Sequence, residues 1–187
     1  MPTSEPYSIS LILEAVFDLK PKSILDVGCG FGKYGVMLRE YLDIWFRRFN
    51  KKDWLTKIDC IEIFEKYITP VHKYIYDNII IGDVRNFNLS HYDLIFMGDV
   101  LEHFSLTEGK KLIEGFNSDY VLINLPYSGF PQKREYMGNT NETHKYIWEE
   151  KDFKFDNWSV EWIKVSGHKL SRPMDKARTV LLKWIKK

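Results

Sequence analysis

Ile24-Leu25-Asp26-Val27-Gly28-Cys29-Gly30-Phe31-Gly32 is the stretch that decides how this chain is built. An apolar run rich in β-branched residues meets an acid and breaks into alternating glycines, and helical spacing begins directly after. That order spells a strand, a tight turn and the opening of a helix. Glycine suits the turn because the backbone there needs positive φ and because a ligand must come close to bare main chain. Three later acids, Glu62, Asp83 and Asp99, end three further apolar runs. They are expected to complete one ligand pocket.

Working outward, Ile9, Ile12, Leu13, Val16 and Phe17 repeat at helical spacing until Lys20-Pro21. They predict an N-terminal helix packed on the sheet edge or over the pocket, with the first strand at 23–27. Past the glycines, Tyr34, Met37, Leu38, Tyr41, Leu42, Trp45, Phe46 and Phe49 mark one helical face. A helix packed on the sheet is expected there, running on through Phe49, and 41–57 reads as an insertion of core plus solvated loop. Arg47, Arg48, Lys51 and Lys52 are read as part of a solvated face.

Lys57 to Ile63 is the second strand, and Thr69-Pro70 begins a short helix over 70–76. Ile79 to Ile81 and Tyr92 to Met97 are the third and fourth strands. Ser105-Leu106-Thr107-Glu108 fits a capping box for a helix to about Phe116, and Asp119 to Asn124 is the fifth strand. From Pro126 to Asn141 periodicity lapses, and 126–147 is expected to be a substrate loop or lid. A short helix over Trp148 to Phe153 and an antiparallel strand pair, Trp158 to Val165 and Thr179 to Trp184, close the chain. The fold class that follows is α/β: an open, mostly parallel seven-stranded sheet with helices on both faces and a C-terminal antiparallel pair.

At 187 residues the chain is expected to form one domain, 1–187. A net charge of +1 gives no electrostatic case for a nucleic-acid or membrane partner. Cys29 and Cys60 make no CxxC or His–Cys metal spacing, so neither a metal site nor a disulfide is expected. No segment reaches the ~18 apolar residues that span a bilayer. Residues 1–6 lack a basic leader followed by an apolar stretch, so a cytoplasmic location is expected.

Gly30-Phe31-Gly32-Lys33-Tyr34-Gly35 satisfies the dinucleotide pattern GxGxxG, but the acid that should follow ~20 residues on is displaced to Glu62. Asp26, Glu62, Asp83 and Asp99 fall where parallel strands present their C-terminal ends, beside the ligand crevice of such sheets. Carboxylates there would repel a pyrophosphate and welcome a cationic ligand with hydroxyl and amine donors. S-adenosylmethionine is such a ligand.

Leu25 to Gly32 resembles the first motif of class I S-adenosylmethionine-dependent methyltransferases. Asp99-Val100-Leu101-Glu102-His103 resembles the segment after their fourth strand in the small-molecule branch. The resemblance implies S-adenosylmethionine as cofactor. Gly28, Gly30 and Gly32 would let main chain approach its methionine portion, with Asp26 near the ammonium and Cys29 a small filler in the turn. Glu62 would take the ribose hydroxyls, with mid-strand Asp59 as the fallback. Asp83 would accept from the adenine amine, Val84 would lie against the ring, and Asp99 and Val100 would close the site near the sulfonium.

Methyl transfer from a sulfonium is a direct displacement, so the protein's task is alignment and exclusion of water. A base is needed only for a hydroxyl or a protonated amine, and His103 and His144 are the candidates. Tyr127, Arg134 and Tyr136 fall in the loop and are read as surface, with the acceptor side as the alternative. Asn124-Leu125-Pro126-Tyr127 is similar to the tetrapeptide of amino-methylating enzymes. In those it follows the fourth strand, whereas here Asn124 ends the fifth, so the match is read as coincidence. The expected activity is methyl transfer to a hydroxyl or amine of a small molecule. The alternatives are a non-catalytic binding module using the aromatic and basic residues of 41–54, or a methyltransferase acting on protein or nucleic acid. Near-neutral charge argues against nucleic acid.

Overall fold

The computed structural model describes Ser4 and residues 6–127, 135–167 and 176–185. Its seven strands are β1 (Ser23–Val27), β2 (Lys57–Glu62), β3 (Asn78–Ile81), β4 (Tyr92–Gly98), β5 (Ser118–Pro126), β6 (Trp158–Ser166) and β7 (Ala177–Trp184). They form one sheet in the order β3-β2-β1-β4-β5-β7-β6. The first five pair in parallel, and β7 lies antiparallel to both β5 and β6. Strand order reverses at β1, which has β2 on one side and β4 on the other, so the carboxyl ends of β1 and β4 flank the crevice of an open α/β sheet.

Alternation along the strands separates two cores. Ile24, Ile58, Cys60, Leu94, Phe96 and Leu122 pack under α1 (Ile9–Leu19), α2 (Lys33–Leu42) and α3 (Pro70–Ile75). On the opposite face Leu25, Val27, Ile95, Met97, Val121 and Ile123 pack with Ile113 of α4 (Leu106–Glu114), Trp148 and Trp158. Each fully buried aliphatic side chain contributes about 1.5–3 kcal/mol relative to exposure.

The capping box of α4 forms as the sequence implies: Ser105 N–H donates to Glu108 Oε2 at 3.0 Å, and Glu108 N–H donates to Ser105 Oγ at 3.3 Å. Gly109 of α4 has its reason in tertiary packing. A Cβ there would sit 2.4 Å from the indole of Trp148. Trp148 is fully buried and donates from Nε1 to the Leu101 carbonyl at 3.1 Å.

Two local expectations are corrected. The helix after the glycine turn ends at Leu42 instead of running through Phe49. Asp43 leaves helical geometry because its carboxylate gathers Arg39 at 2.6 Å, Arg48 at 2.9 Å and the Leu55 N–H at 2.8 Å. Trp45, Phe46 and Phe49 consequently leave the helical face and stand exposed. The helix expected over Trp148 to Phe153 is a single 3-10 turn, Glu150–Asp152. Six residues give too few hydrogen bonds to offset helix nucleation, and the Asp152 carboxylate takes the Glu149 N–H at 2.9 Å.

The segment 43–56 is knotted to the domain through Arg39. This guanidinium is fully buried, donates to the Thr56 and Ile75 carbonyls, pairs with Asp43 and Asp77, and lies 4.0 Å over Trp54. Lys51 is exposed, as the sequence implies, and also donates to the Tyr74 and Tyr76 carbonyls at the C-terminal end of α3. Of the stretch 126–147, residues 128–134 and with them Arg134 lie outside the described residues. No helix among the described residues is long and apolar enough to cross a membrane.

Candidate active site

A cavity of about 630 Å³ opens at the carboxyl ends of β1 to β4. Its floor is the glycine turn. Gly28, Gly30 and Gly32 have φ of 69°, 53° and 82°, values that residues with a Cβ rarely adopt. A Cβ on Gly28 would also lie 2.4 Å from Val100 Cγ2, so the turn and the segment after β4 are in direct contact. His72 of α3 braces the turn from outside. Its Nδ1 accepts the Thr69 N–H at 3.1 Å, which leaves Nε2–H to donate to the Gly30 carbonyl at 3.0 Å.

Glu62, the last residue of β2, is buried at the cavity wall. Oε2 accepts the Gly30 N–H and Oε1 the Phe64 N–H, both at 2.9 Å, and each oxygen retains a further lone pair. Burial pushes its pKa up, opposed by these two bonds. Asp83 is gripped by Arg85, with Nε to Oδ1 at 3.0 Å and Nη2 to Oδ2 at 2.5 Å. That guanidinium holds the Asp83 carboxyl below its ordinary value. Asp99 sits at φ 54°, and its N–H donates to the Asn124 carbonyl at 2.8 Å.

The inner end is closed by 139–146. Asn139 Nδ2 donates to Tyr67 Oη at 3.3 Å, Tyr67 O–H donates to Glu142 Oε1 at 2.9 Å, and the Glu102 carbonyl accepts the N–H groups of Lys145 and Tyr146. His144 Nε2 then lies 3.9 Å from Glu102 Oε1, and its ring meets that of His103 edge-on at 5.0 Å. His103 Nδ1 is 3.2 Å from the Thr143 carbonyl, so Nδ1–H donates and Nε2 keeps its lone pair. Burial lowers both histidine pKa values. That of His144, with His103 beside it, falls to about 4, and the rings are neutral at pH 7.

No family model matches the sequence, and no curated protein matches it. Solved structures do. The magnesium protoporphyrin IX methyltransferase (ChlM) from Synechocystis PCC 6803, crystallised with bound SAH, is similar over 95% of this chain and 82% of its own, at TM-score 0.67 and 13% identity. The methyltransferase domain of bacterial-CtHen1-C matches over 95% of this chain and 97% of its own, at TM-score 0.63 and 12% identity. An rRNA methylase from Escherichia coli matches over 95% of this chain and 64% of its own, at TM-score 0.60 and 14% identity. The chain has the fold of class I S-adenosylmethionine-dependent methyltransferases.

Within this methyltransferase fold, Gly28, Cys29, Gly30, Glu62, Asp83, Val84, Asp99, Val100, His103 and His144 all line the cavity, as does Tyr136. Of the residues assigned to the cofactor from sequence, Asp26 and Gly32 do not. Asp26 shares its strand face with Ile24, so it points toward α3, where its Oδ2 accepts the Tyr76 O–H at 2.6 Å. Gly32 opens α2 and faces His72, whose Nε2 would lie 3.2 Å from its Cβ. Cys29 and Cys60 are both buried and unlinked, and the neighbouring Cys60, then burial, push the Cys29 thiol pKa up. Asp59, the fallback for Glu62, is committed at mid-strand to Tyr92, Asn78 and Lys57.

Asn124 is fully buried within β5, its Oδ1 accepting from Thr179 at 3.1 Å, and neither it nor Tyr127 lines the cavity. The expected ring of carboxylates is also less bare than the sequence suggested. Arg85 covers Asp83, and Lys33, Lys145 and Lys176 line the same cavity. His72, Tyr67 and Asn139 carried no strand-end or motif signal, because the contacts that tie them to the site reach partners 42 or more residues away.

Proposed function

We propose that this chain binds S-adenosylmethionine in the cavity and transfers its methyl group to a hydroxyl or amine of a small molecule. The observation that carries the proposal is Glu62. It is a buried carboxylate clamped by one backbone N–H on each oxygen, with lone pairs left at the cavity wall beside the glycine turn. That is the acceptor a ribose diol requires, and a phosphate would be repelled at the same place. The cofactor supplies an electrophilic methyl group on a sulfonium.

The chain's own groups do the remaining work. Gly28 and Gly30 offer close main chain, and Val84 offers an apolar wall for a flat ring. Asp99 stands at the end of β4, and segment 139–146 excludes water from the inner end. Asp26 acts beneath the turn, through Tyr76, in place of contacting the ligand. His103 Nε2 retains a lone pair for an acceptor proton. Near-neutral net charge favours a small acceptor over nucleic acid.

Calorimetry with S-adenosylmethionine, S-adenosylhomocysteine and NAD+ tests the cofactor. Glu62→Gln sets an amide N–H against one of two backbone donors, and should weaken S-adenosylmethionine binding about 10- to 100-fold, roughly 1–3 kcal/mol. Unchanged affinity, or tight NAD+ binding with none of S-adenosylmethionine, refutes the assignment. Labelled methyl transfer into a cell extract then tests the acceptor: label in macromolecules instead of small molecules would overturn it.

A further inference from the structure

Glu102 is the residue that methyl transfer alone leaves unexplained. It is 3% exposed, and neither of its carboxylate oxygens has a hydrogen-bond partner among the described residues. A buried carboxylate without donors loses its hydration and gains nothing in return, a cost of several kcal/mol. Asp99 and Glu142 add negative potential around it. Burial pushes its pKa well up in consequence. What stands next to this carboxylate is two imidazoles, each of which can offer a lone pair.

We infer that Glu102, His103 and His144 form a binding site for a divalent first-row transition-metal ion at the inner end of the cavity. One ligand atom from each of the three lies within 4.8 Å of the others, with Glu102 Oε1 to His144 Nε2 at 3.9 Å. An ion held at ~2.0–2.2 Å from each would bring such atoms to about 3–4 Å apart, an adjustment within reach of side-chain torsions. Two features beyond proximity point the same way. The Thr143 carbonyl takes the His103 Nδ1–H, which directs the Nε2 lone pair to the site and is the outer contact that metal-bound histidines characteristically make. The Glu102 carbonyl accepts the N–H groups of Lys145 at 2.8 Å and Tyr146 at 3.2 Å, so Glu102 itself fastens the segment that carries His144.

Two neutral imidazoles and one carboxylate suit Mn²⁺, Co²⁺ or Zn²⁺ better than Mg²⁺, which prefers oxygen ligands and keeps its water. Three protein ligands leave positions open toward the cavity. The ion's use there, to hold and polarise an acceptor hydroxyl, rests on the proposed methyl transfer; the site itself does not. With the ion bound, the His103 Nε2 lone pair is a metal ligand; with the ion absent, it is the lone pair that can take an acceptor proton.

The full chain, stripped with a chelator and free of S-adenosylmethionine, is titrated with MnCl2 while the electron paramagnetic resonance signal of free aqueous Mn²⁺ is followed. One ion per chain is expected to disappear from the free pool, and Zn²⁺ should compete for it. Glu102→Gln and His144→Ala should each weaken Mn²⁺ binding about tenfold or more, since even outer contacts of metal sites are worth that much. Circular dichroism melting of both variants verifies folding, and Glu102→Gln, which removes a buried charge without changing shape, should melt no lower than the parent. No Mn²⁺ binding at millimolar concentration, or two folded variants that bind like the parent, overturns the site. A chain that binds S-adenosylmethionine but fails to bind Mn²⁺ defeats this inference alone, and a chain that binds Mn²⁺ but fails to bind S-adenosylmethionine in calorimetry defeats the cofactor assignment alone.

Discussion

Replacing Asp26 by asparagine should change how the stability of this protein depends on pH. Asp26 is buried beneath the glycine turn, and its pKa is pushed up from 3.8 to about 7 by burial, with the Tyr76 hydrogen bond opposing and Glu62 adding to the rise. The folded state therefore keeps this proton over a range where the unfolded chain gives it up. The group's contribution to stability is complete below the unfolded pKa of 3.8 and is lost progressively as pH rises through about 7. At 1.36 kcal/mol per pKa unit, the loss between about pH 5 and about pH 8 is on the order of 3 kcal/mol. Asparagine is isosteric, cannot ionise and still offers Oδ1 to the Tyr76 hydroxyl at the 2.6 Å position. Urea denaturation across that pH range is the assay. The stability of Asp26→Asn relative to the parent should rise with pH by about that amount and level off above neutrality. Parallel profiles for parent and variant would refute the claim that Asp26 is held protonated in the fold.

Two further changes test the supports of the site. Arg39→Met removes a fully buried cation and leaves the buried Asp43 with Arg48 as its remaining ion-pair partner, which should cost about 3–5 kcal/mol in chemical denaturation. A loss under about 1 kcal/mol would mean that the ion cluster contributes no net stability. Gly35→Ala places a Cβ 2.2 Å from Tyr76 Oη and should cost about 1–3 kcal/mol while displacing Tyr76 from Asp26. If its melting temperature and pH profile match the parent's, the ring can swing aside and the glycine is not there for packing.

The glycine turn and the four strand-end acids illustrate how much of the site was legible. Gly28, Gly30, Glu62, Asp83 and Asp99 are recognisable because strand, turn and helix signals are local, and because a parallel sheet puts every strand's carboxyl end on one side. Asp26 carries the same local signal and still faces the other way. A one-residue step along a strand reverses the side chain, and the strand-end pattern does not say where the strand stops. The helix expected through Phe49 failed for a related reason: its apolar spacing persists, but Asp43 finds Arg39, Arg48 and the Leu55 N–H within a few ångströms and the chain turns.

What the amino-acid sequence determined by itself is the order of elements, the position of the glycine turn and the sheet edge at which a ligand would sit. These follow from periodicities of two and 3.6 residues and from the φ that glycine permits. What only the tertiary structure decided is the partner of each polar group. Tyr76 reaches Asp26 across 50 positions, Tyr67 reaches Glu142 across 75, and Glu102 meets His144 in the cavity. None of those pairs leaves a trace in spacing, because a hydrogen bond or an ion site depends on distance in space, and distance in space is set by how the whole sheet stacks its connections.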